Sequence, residues 1–279
     1  MKKIKMYVFV LFISVFSISC SVVQNANIFT DKDDVQLGEQ VVAEINSNAK
    51  EYPIYKGDPS LKKYINERIF QHILNAPSVK KKNVFNYNIE IIDRPDVMNA
   101  FALPGGYIYV YTGLLKYLDS EAALAGVIAH EIAHAEKRHA TKRMTQYYGA
   151  SILVSLILGK NPSQLSEIVS NLFVGAAFLA NSRANEDEAD ASSVEYLRGT
   201  RYYPGAVKFF FEKMKADNLI TGKSSKIEVF LSTHPDPIDR INTINTVLQL
   251  QNIPVISYNG NGDNLFRDEY KKNILAKLK

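Results

Sequence analysis

The sequence predicts an α+β fold that is mostly helical. Segments with apolar residues at helical spacing occupy most of the chain, and two short runs, Tyr87–Ile92 and Tyr107–Tyr111, have the Tyr and β-branched residues of strands. Of the 279 residues, 46% are hydrophobic and 22% are charged, which is ordinary for a globular protein. This composition excludes a disordered chain, a collagen and a polytopic membrane protein.

The charge is concentrated at the N-terminus. Three positive charges of the net +4 come from Lys2, Lys3 and Lys5, and no acidic residue precedes residue 20. A chain without this segment is close to neutral, so nucleic-acid binding is not expected. The single cysteine, Cys20, excludes an internal disulfide and a zinc site built from several cysteines.

The N-terminus is arranged as an export signal. The lysines precede an apolar run over Met6–Phe16, and the small residues Ser17 and Ser19 precede Cys20. We predict a signal peptide over 1–19. The residues before Cys20 resemble a bacterial lipobox, which implies a lipid on this cysteine. A signal anchor and a plain signal peptide are the alternatives, although the apolar run is shorter than the roughly 20 residues of a membrane span.

The remaining chain is divided by its polarity and its helix signals. Residues 20–34 are predicted to be a tether, 35–254 the folded domain and 255–279 a polar tail. Apolar spacing and Asp, Ser or Pro at the starts predict helices over 35–45, 58–74, 121–144 and 185–197, from 204 onwards, and over 237–250. The apolar stretches 150–158 and 168–180 predict a buried helical hairpin, with a surface resting on a membrane as the alternative.

His130-Glu131-Ile132-Ala133-His134 is an H-E-x-x-H motif inside a predicted helix. Residues four apart on a helix are offset by about 40° around the axis and about 6 Å along it. His130 and His134 can therefore bind one zinc ion from the same face. Glu131 lies beside them, where a carboxylate can take a proton from water activated by the ion.

A third ligand must come from elsewhere. On a continuous helix His139 lies about 140° around the axis from His134, so we expect it to be structural. An acidic cluster offers Glu186 and Glu188. Glu186 is followed one turn later by Asp190, and an Asp there can accept the N–H of a zinc-bound histidine. We therefore predict Glu186 as ligand and Asp190 as the residue that orients a ligand histidine. A solvated helix start is the alternative for this cluster.

Four blocks of the sequence, taken in order, resemble metallopeptidase family forty-eight, a gluzincin family. They are Asn99–Gly106 with Gly113-Leu114-Leu115, His130–His139, Ser182–Asp190, and Thr233-His234-Pro235 with Arg240. The resemblance implies a gluzincin-type zinc peptidase with an active-site helix packed on a small sheet. It also implies one Zn²⁺ per chain bound by His130, His134 and Glu186, with Glu131 as general base and acid.

The resemblance implies roles for three more residues. Asn99 would begin an edge strand that pairs with an extended substrate. His234 and Arg240 would lie on the substrate side and stabilise the oxyanion. In some relatives the histidine of this block instead caps the zinc and keeps the enzyme latent.

The expected function is a zinc-dependent endopeptidase of the cell envelope that cleaves exported or misfolded proteins. The alternative is a latent protease that acts mainly as a protein-binding or chaperone-like module. Expected partners are protein or peptide substrates, a membrane through the lipid on Cys20, and envelope assembly machinery. The layout resembles that of the family's stand-alone LoiP-type lipoproteins. Ser21 after the cysteine implies the periplasmic side of the outer membrane in a Gram-negative cell, and otherwise the cell-surface membrane.

Overall fold

A computed structural model of the chain describes residues 27, 29–148, 150–161, 163–165, 167, 181–220, 225–259 and 265–278. The described part is mostly helical with one small sheet, as predicted. The predicted signal peptide, the predicted lipidation site Cys20 and the apolar stretch 168–180 lie outside the described residues.

The helices agree with most of the predicted segments. They are α1 (Asp31–Ser47), α2 (Pro59–Tyr64), α3 (Gln71–Leu74), α4 (Thr112–Tyr117), α5 (Glu121–Glu136), α6 (His139–Tyr148), α7 (Ala150–Ile157), α8 (Arg183–Leu197), α9 (Val207–Ala216), α10 (Ser225–Thr233), α11 (Pro237–Leu250) and α12 (Arg267–Asn273). A π-helical segment, Ile65–Phe70, joins α2 to α3. The helix predicted over 58–74 is therefore continuous but widened in its middle.

The sheet places a short strand at one edge. Its order is β1-β3-β2, and the strands span Asn88–Ile92 (β1), Ala100–Ala102 (β2) and Tyr107–Tyr111 (β3). β3 pairs in parallel with β1 and antiparallel with β2. The turn before β3 requires Gly105, whose φ is 76° and whose Cβ would lie 2.9 Å from Val35 Cα. The edge strand implied by the resemblance is present, beginning one residue after Asn99.

The central helix α5 is the most deeply buried element of the described chain. All 16 of its residues are buried, and Ser120 caps its start. α8 and α9 pack against it. Gly126 allows the close approach of α9, because a Cβ at this position would lie 2.3 Å from the backbone nitrogen of Val207. The polar side chains of so buried a helix must find their partners inside the protein.

The sequence predicted one helix where the structure has both α5 and α6. The chain breaks at Arg138, which has a φ of 61°. Its guanidinium donates to Asp34 Oδ2 at 2.7 Å and to the Phe29 carbonyl at 2.6 Å. Contacts with residues at the start of α1 therefore hold the turn. These residues are distant in sequence, so the break could not be predicted from the residues around Arg138.

Both ends of the predicted domain are displaced. α1 begins at Asp31, inside the predicted tether, with a capping box formed by Thr30 and Asp33. The described residues of the predicted tail, 255–259 and 265–278, include packed positions, because Tyr270 is fully buried and its hydroxyl donates to the Leu115 carbonyl at 2.8 Å. The packed domain therefore starts earlier and ends later than the sequence indicated.

The first of the two apolar stretches, 150–158, contains helix α7. Leu156 is buried, whereas Val154 and Leu158 are 48% and 58% exposed. The second stretch is not described, so the buried hairpin stays a prediction. Of the helices that the structure describes, none is both long enough and apolar enough to cross a bilayer.

Candidate metal centre

Four buried side chains from three parts of the fold converge on one point. His130 and His134 come from α5, Glu186 from the first turn of α8, and His234 from the residue after α10. One donor atom from each lies within 4.8 Å of the others. Ser182 caps α8 by accepting the N–H of the third helical residue, which fixes the turn that carries the carboxylate.

The donor set fits a zinc ion in chemistry and in spacing. Imidazole and carboxylate are usual zinc ligands with bonds of about 2.0–2.2 Å, so donors of a tetrahedral site lie about 3.3 Å apart. His130 Nε2 and His134 Nε2 are 2.8 Å apart, and the Glu186 oxygens lie 3.4 Å and 3.3 Å from them. These three side chains, with His234 as a fourth, can hold one Zn²⁺.

Asp190 lies directly behind the first of these histidines. Its Oδ1 is 2.9 Å from His130 Nδ1, as the spacing of Glu186 and Asp190 had led us to expect. A carboxylate in this place keeps the proton on Nδ1 and leaves Nε2 free to bind a metal. Both oxygens of Asp190 also accept from Arg240, from Nε at 2.8 Å and from Nη2 at 2.6 Å.

The position of Arg240 corrects an expectation from the sequence. Its Nη1 lies 2.7 Å from Glu186 Oε2, and the residue is only 2% exposed. It lies on Asp190 and against the ring of Phe211, and it does not line the cleft that leads to the donors. Arg240 is therefore the counter-ion of two buried carboxylates and not a residue of the substrate side. Its helix, α11, packs against α8, which carries both carboxylates.

His139 supports the second histidine, which the sequence did not predict. Its Nδ1 lies 2.8 Å from His134 Nδ1, and its Nε2 lies 3.1 Å from Glu188 Oε2. The angular separation expected for these two histidines assumed a continuous helix. Because the chain breaks at Arg138, that separation does not apply and the two rings can meet. His139 is nevertheless outside the donor group, and Glu188 faces this imidazole instead of the metal position.

Glu131 and His234 face each other across the open side of the donors. Glu131 Oε1 lies 3.5 Å from His234 Nε2 and has no hydrogen-bond partner among the described residues. His234 Nδ1 lies 3.2 Å from both oxygens of Glu186, and its ring stacks on Phe230. The second member of the H-E-x-x-H motif thus has an oxygen free for a reactant.

Burial and pairing set opposite protonation preferences for the two glutamates. Burial raises the pKa of Glu131, and the nearby His234 only partly offsets this. Burial would also raise the pKa of Glu186, but the Arg240 guanidinium and the neighbouring His234 outweigh it and hold that pKa well below its usual range. Burial lowers the pKa of His134, which favours the neutral imidazole that a metal requires. Glu186 is suited to remain an anionic ligand, and Glu131 to exchange a proton.

A cleft opens beside these residues, at the edge strand. Its described lining comprises Phe101, Ala102, Glu131, His134, Ala140, Arg143, Asn181, Thr233 and His234. Asn99 is not part of this lining. It is 1% exposed, and its carbonyl accepts the N–H of Tyr111 within the sheet. The residues of β2 that reach the cleft are therefore Phe101 and Ala102. No pattern in the sequence indicated that Arg143 would also line it.

Comparison with known proteins identifies relatives over most of the domain. The model of Peptidase family M48 matches residues 59–248. The chain is 28% identical over 217 residues to the beta-barrel assembly-enhancing protease of Escherichia coli K12, covering 75% of this chain and 42% of the relative. It is 31% identical over 179 residues to the mitochondrial metalloendopeptidase OMA1 of Schizosaccharomyces pombe, covering 63% and 50%. The chain thus spans half or less of the length of these relatives.

Proposed function

The chain belongs to peptidase family M48, and on this basis we propose that it is a zinc-dependent endopeptidase that hydrolyses peptide bonds in proteins. The observation that carries the proposal is the buried group of His130, His134 and Glu186 with the free oxygen of Glu131 beside it. A purely structural zinc site would leave this carboxylate without a task. The relatives named protease and metalloendopeptidase support the same activity.

We assign metal binding to His130, His134 and Glu186, and proton transfer to Glu131. When bound, a zinc ion acidifies water and polarises the scissile carbonyl. Glu131 Oε1 accepts the proton of the attacking water. Because burial raises the pKa of this carboxyl group, it can hold the proton and then deliver it to the leaving amine.

The sheet edge supplies the means of holding a peptide. β2 is an edge strand, and its residues Phe101 and Ala102 line the cleft beside Glu131. An extended chain can add to such an edge through main-chain hydrogen bonds. A peptide held in this way lies across the cleft beside Glu131.

A latent form of this enzyme is the second candidate, and the position of His234 favours it. His234 belongs to the donor group, and its ring nitrogen can complete the ligand set and exclude water from the metal. It stands in a turn where Asp236 has a φ of 58° between Pro235 and Pro237, which makes the turn stiff. Access to the site would then require this turn to move.

Cleavage of casein by the purified full chain at matched zinc content tests the activity. Wild type is expected to cleave, and Glu131→Gln is expected to bind zinc equally but to cleave at least about 100-fold more slowly, because proton transfer is lost. Asp187→Asn, a change of an exposed carboxylate on α8, is the control. Detectable cleavage that is equal for wild type and Glu131→Gln would contradict the proposal.

His234→Ala separates the two states of the enzyme. If the histidine caps the metal, its removal increases casein cleavage. If it stabilises the oxyanion, its removal lowers kcat by about 100-fold or more. If zinc-loaded wild type and His234→Ala both fail to cleave any unfolded protein, the chain is not an endopeptidase.

We further propose that the enzyme acts in the cell envelope as a lipoprotein anchored at Cys20, with envelope assembly machinery among its partners. The support is the export-type pattern of residues 1–20 and the relative whose name refers to β-barrel assembly. Fractionation of cells that express Cys20→Ala tests the anchor. The variant is expected to leave the membrane fraction, and an unchanged distribution would contradict the lipid attachment.

A further inference from the structure

Arg143 is a cation in the cleft for which the structure describes no partner. It lies one turn after Ala140 on α6, and both residues line the cleft together with Glu131. Arg143 forms no hydrogen bond or ion pair with any described residue, and its Nε is buried without a partner. Arg138 and Arg240, which are also largely covered, each bind a carboxylate.

Within the described part of the chain, no carboxylate is paired with Arg143. A cation withdrawn from water is costly unless a partner replaces its hydration. Burial lowers the pKa of Arg143 to about 10, although Glu186 and Glu131 attract it from a distance. Neither carboxylate is free to become its partner, because Glu186 lies 2.7 Å from Arg240 and Glu131 is needed for proton transfer. The guanidinium is therefore available to a molecule that enters the cleft.

We propose that Arg143 binds a carboxylate of the peptide substrate close to the scissile bond and thereby selects acidic substrates. The inference rests on the proposed peptidase function. A guanidinium presents parallel N–H groups that match a carboxylate, and such charge-assisted pairs are among the strongest polar contacts. A peptide added to β2 lies in the cleft that Arg143 lines, since Phe101 and Ala102 line it too. The carboxylate belongs either to an acidic side chain or to the C-terminus of the substrate.

Peptide binding, measured without turnover, tests the inference. The full chain carrying Glu131→Gln is loaded with zinc and titrated into fluorescein-labelled nonapeptides, and binding is followed by fluorescence polarisation. In one arm, amidated peptides carry a single Glu, Gln or Lys at each interior position in turn. In the other arm, neutral peptides end in a free carboxylate or in an amide.

We expect one Glu position, or the free C-terminus, to bind about 10- to 100-fold more tightly than its neutral counterpart. Arg143→Met should abolish this preference and Arg143→Glu should transfer it to Lys. Lys142→Met, which removes a charge from the adjacent residue of α6 outside the cleft lining, should retain it. The responding arm identifies the source of the carboxylate.

Three results would overturn the inference. They are equal binding of charged and neutral peptides in both arms, a preference that survives Arg143→Met, and no binding of any peptide. The first needs no variant of Arg143, so misfolding of the variant cannot obscure it. Cleavage by the Glu131-containing enzyme is scored separately: peptides that bind with this preference but are never cut refute the peptidase and leave the role of Arg143 intact.

Discussion

The two histidines of the H-E-x-x-H motif are held from behind by networks of different kinds. His130 is held by the inner network, Asp190 and Arg240, whose side chains are opposite in charge and at most 3% exposed. The other histidine is held by an imidazole whose own partner is a carboxylate at the surface. The inner network is thus fixed by buried charge, which is costly to disturb on either side.

The outer network consists of His139 and Glu188. It can also keep the proton of a ligand histidine on Nδ1, but it does so through a neutral imidazole. Burial lowers the pKa of His139 to about 4, so the ring carries one proton on two nitrogens. Donation of that proton from Nε2 to Glu188 leaves Nδ1 to accept the proton of His134 Nδ1, which frees His134 Nε2 for a metal. The same tautomer of a ligand histidine can therefore be set in two ways. One is a buried charge, and the other is a chain of hydrogen bonds, the relay, that ends at a solvent-exposed carboxylate. The two should differ in their sensitivity to mutation.

The largest effect is expected from Arg240→Met. The change leaves Asp190 and Glu186 buried without their cation, so the free energy of unfolding of the zinc-free chain should fall by about 3–5 kcal/mol. Urea denaturation measures this, with Arg183→Met as control because Arg183 is 71% exposed. A loss below about 1 kcal/mol, the range of exposed ion pairs, would show that the inner network is not fixed by buried charge.

Asp190→Ala should weaken zinc binding by about 10- to 100-fold, since His130 loses the carboxylate that sets its tautomer. Competition with a chromogenic chelator measures the affinity. The control is Asp187→Ala, which removes an exposed carboxylate from the same helix. Unchanged affinity would mean that Asp190 stabilises the fold without orienting the ligand.

His139→Phe should weaken zinc binding by about 10-fold, at the lower end of the range for the loss of a residue that orients a ligand. An aromatic ring is kept at this position, while the acceptor for His134 Nδ1 is lost. His72→Phe, a change at an exposed histidine, is the control in the same competition assay. A loss as large as that of Asp190→Ala would erase the distinction between the networks.

The sequence predicted the inner network better than the outer one. His130 and Asp190 each lie on one uninterrupted helix, and helical spacing is enough to place Glu186 and Asp190 on one face. The contact between His134 and His139 depends on the break at Arg138. Distant residues near the start of α1 hold that break, so no local pattern contains it.

Local sequence patterns were also insufficient to predict parts of the site and the ends of the domain. Strands β1 and β3 and the helices of the metal site follow from periodicity, but the side on which Arg240 lies depends on how α11 packs against α8. Tyr270 is an aromatic residue in a polar stretch, and only the tertiary fold reveals that it is buried. Arg143 reached the cleft for a similar reason, since α6 has a new direction after the break.

Glu188→Gln should have the smallest effect on zinc affinity, within about threefold, as expected for a partly exposed ion pair. Glu188 is 42% exposed and also lies 3.4 Å from Lys137, so its charge is shared with solvent and with a second cation. A glutamine oxygen can still accept from His139 Nε2, which keeps the hydrogen bonds in the direction that frees His134 Nε2.

Glu188→Lys offers no acceptor, so its loss of zinc affinity should approach that of His139→Phe. The chelator competition assay, run on both variants beside wild type, distinguishes a need for an acceptor from a need for charge. If Glu188→Gln loses as much affinity as Glu188→Lys, the outer network depends on charge after all, and the two histidines are held in the same way.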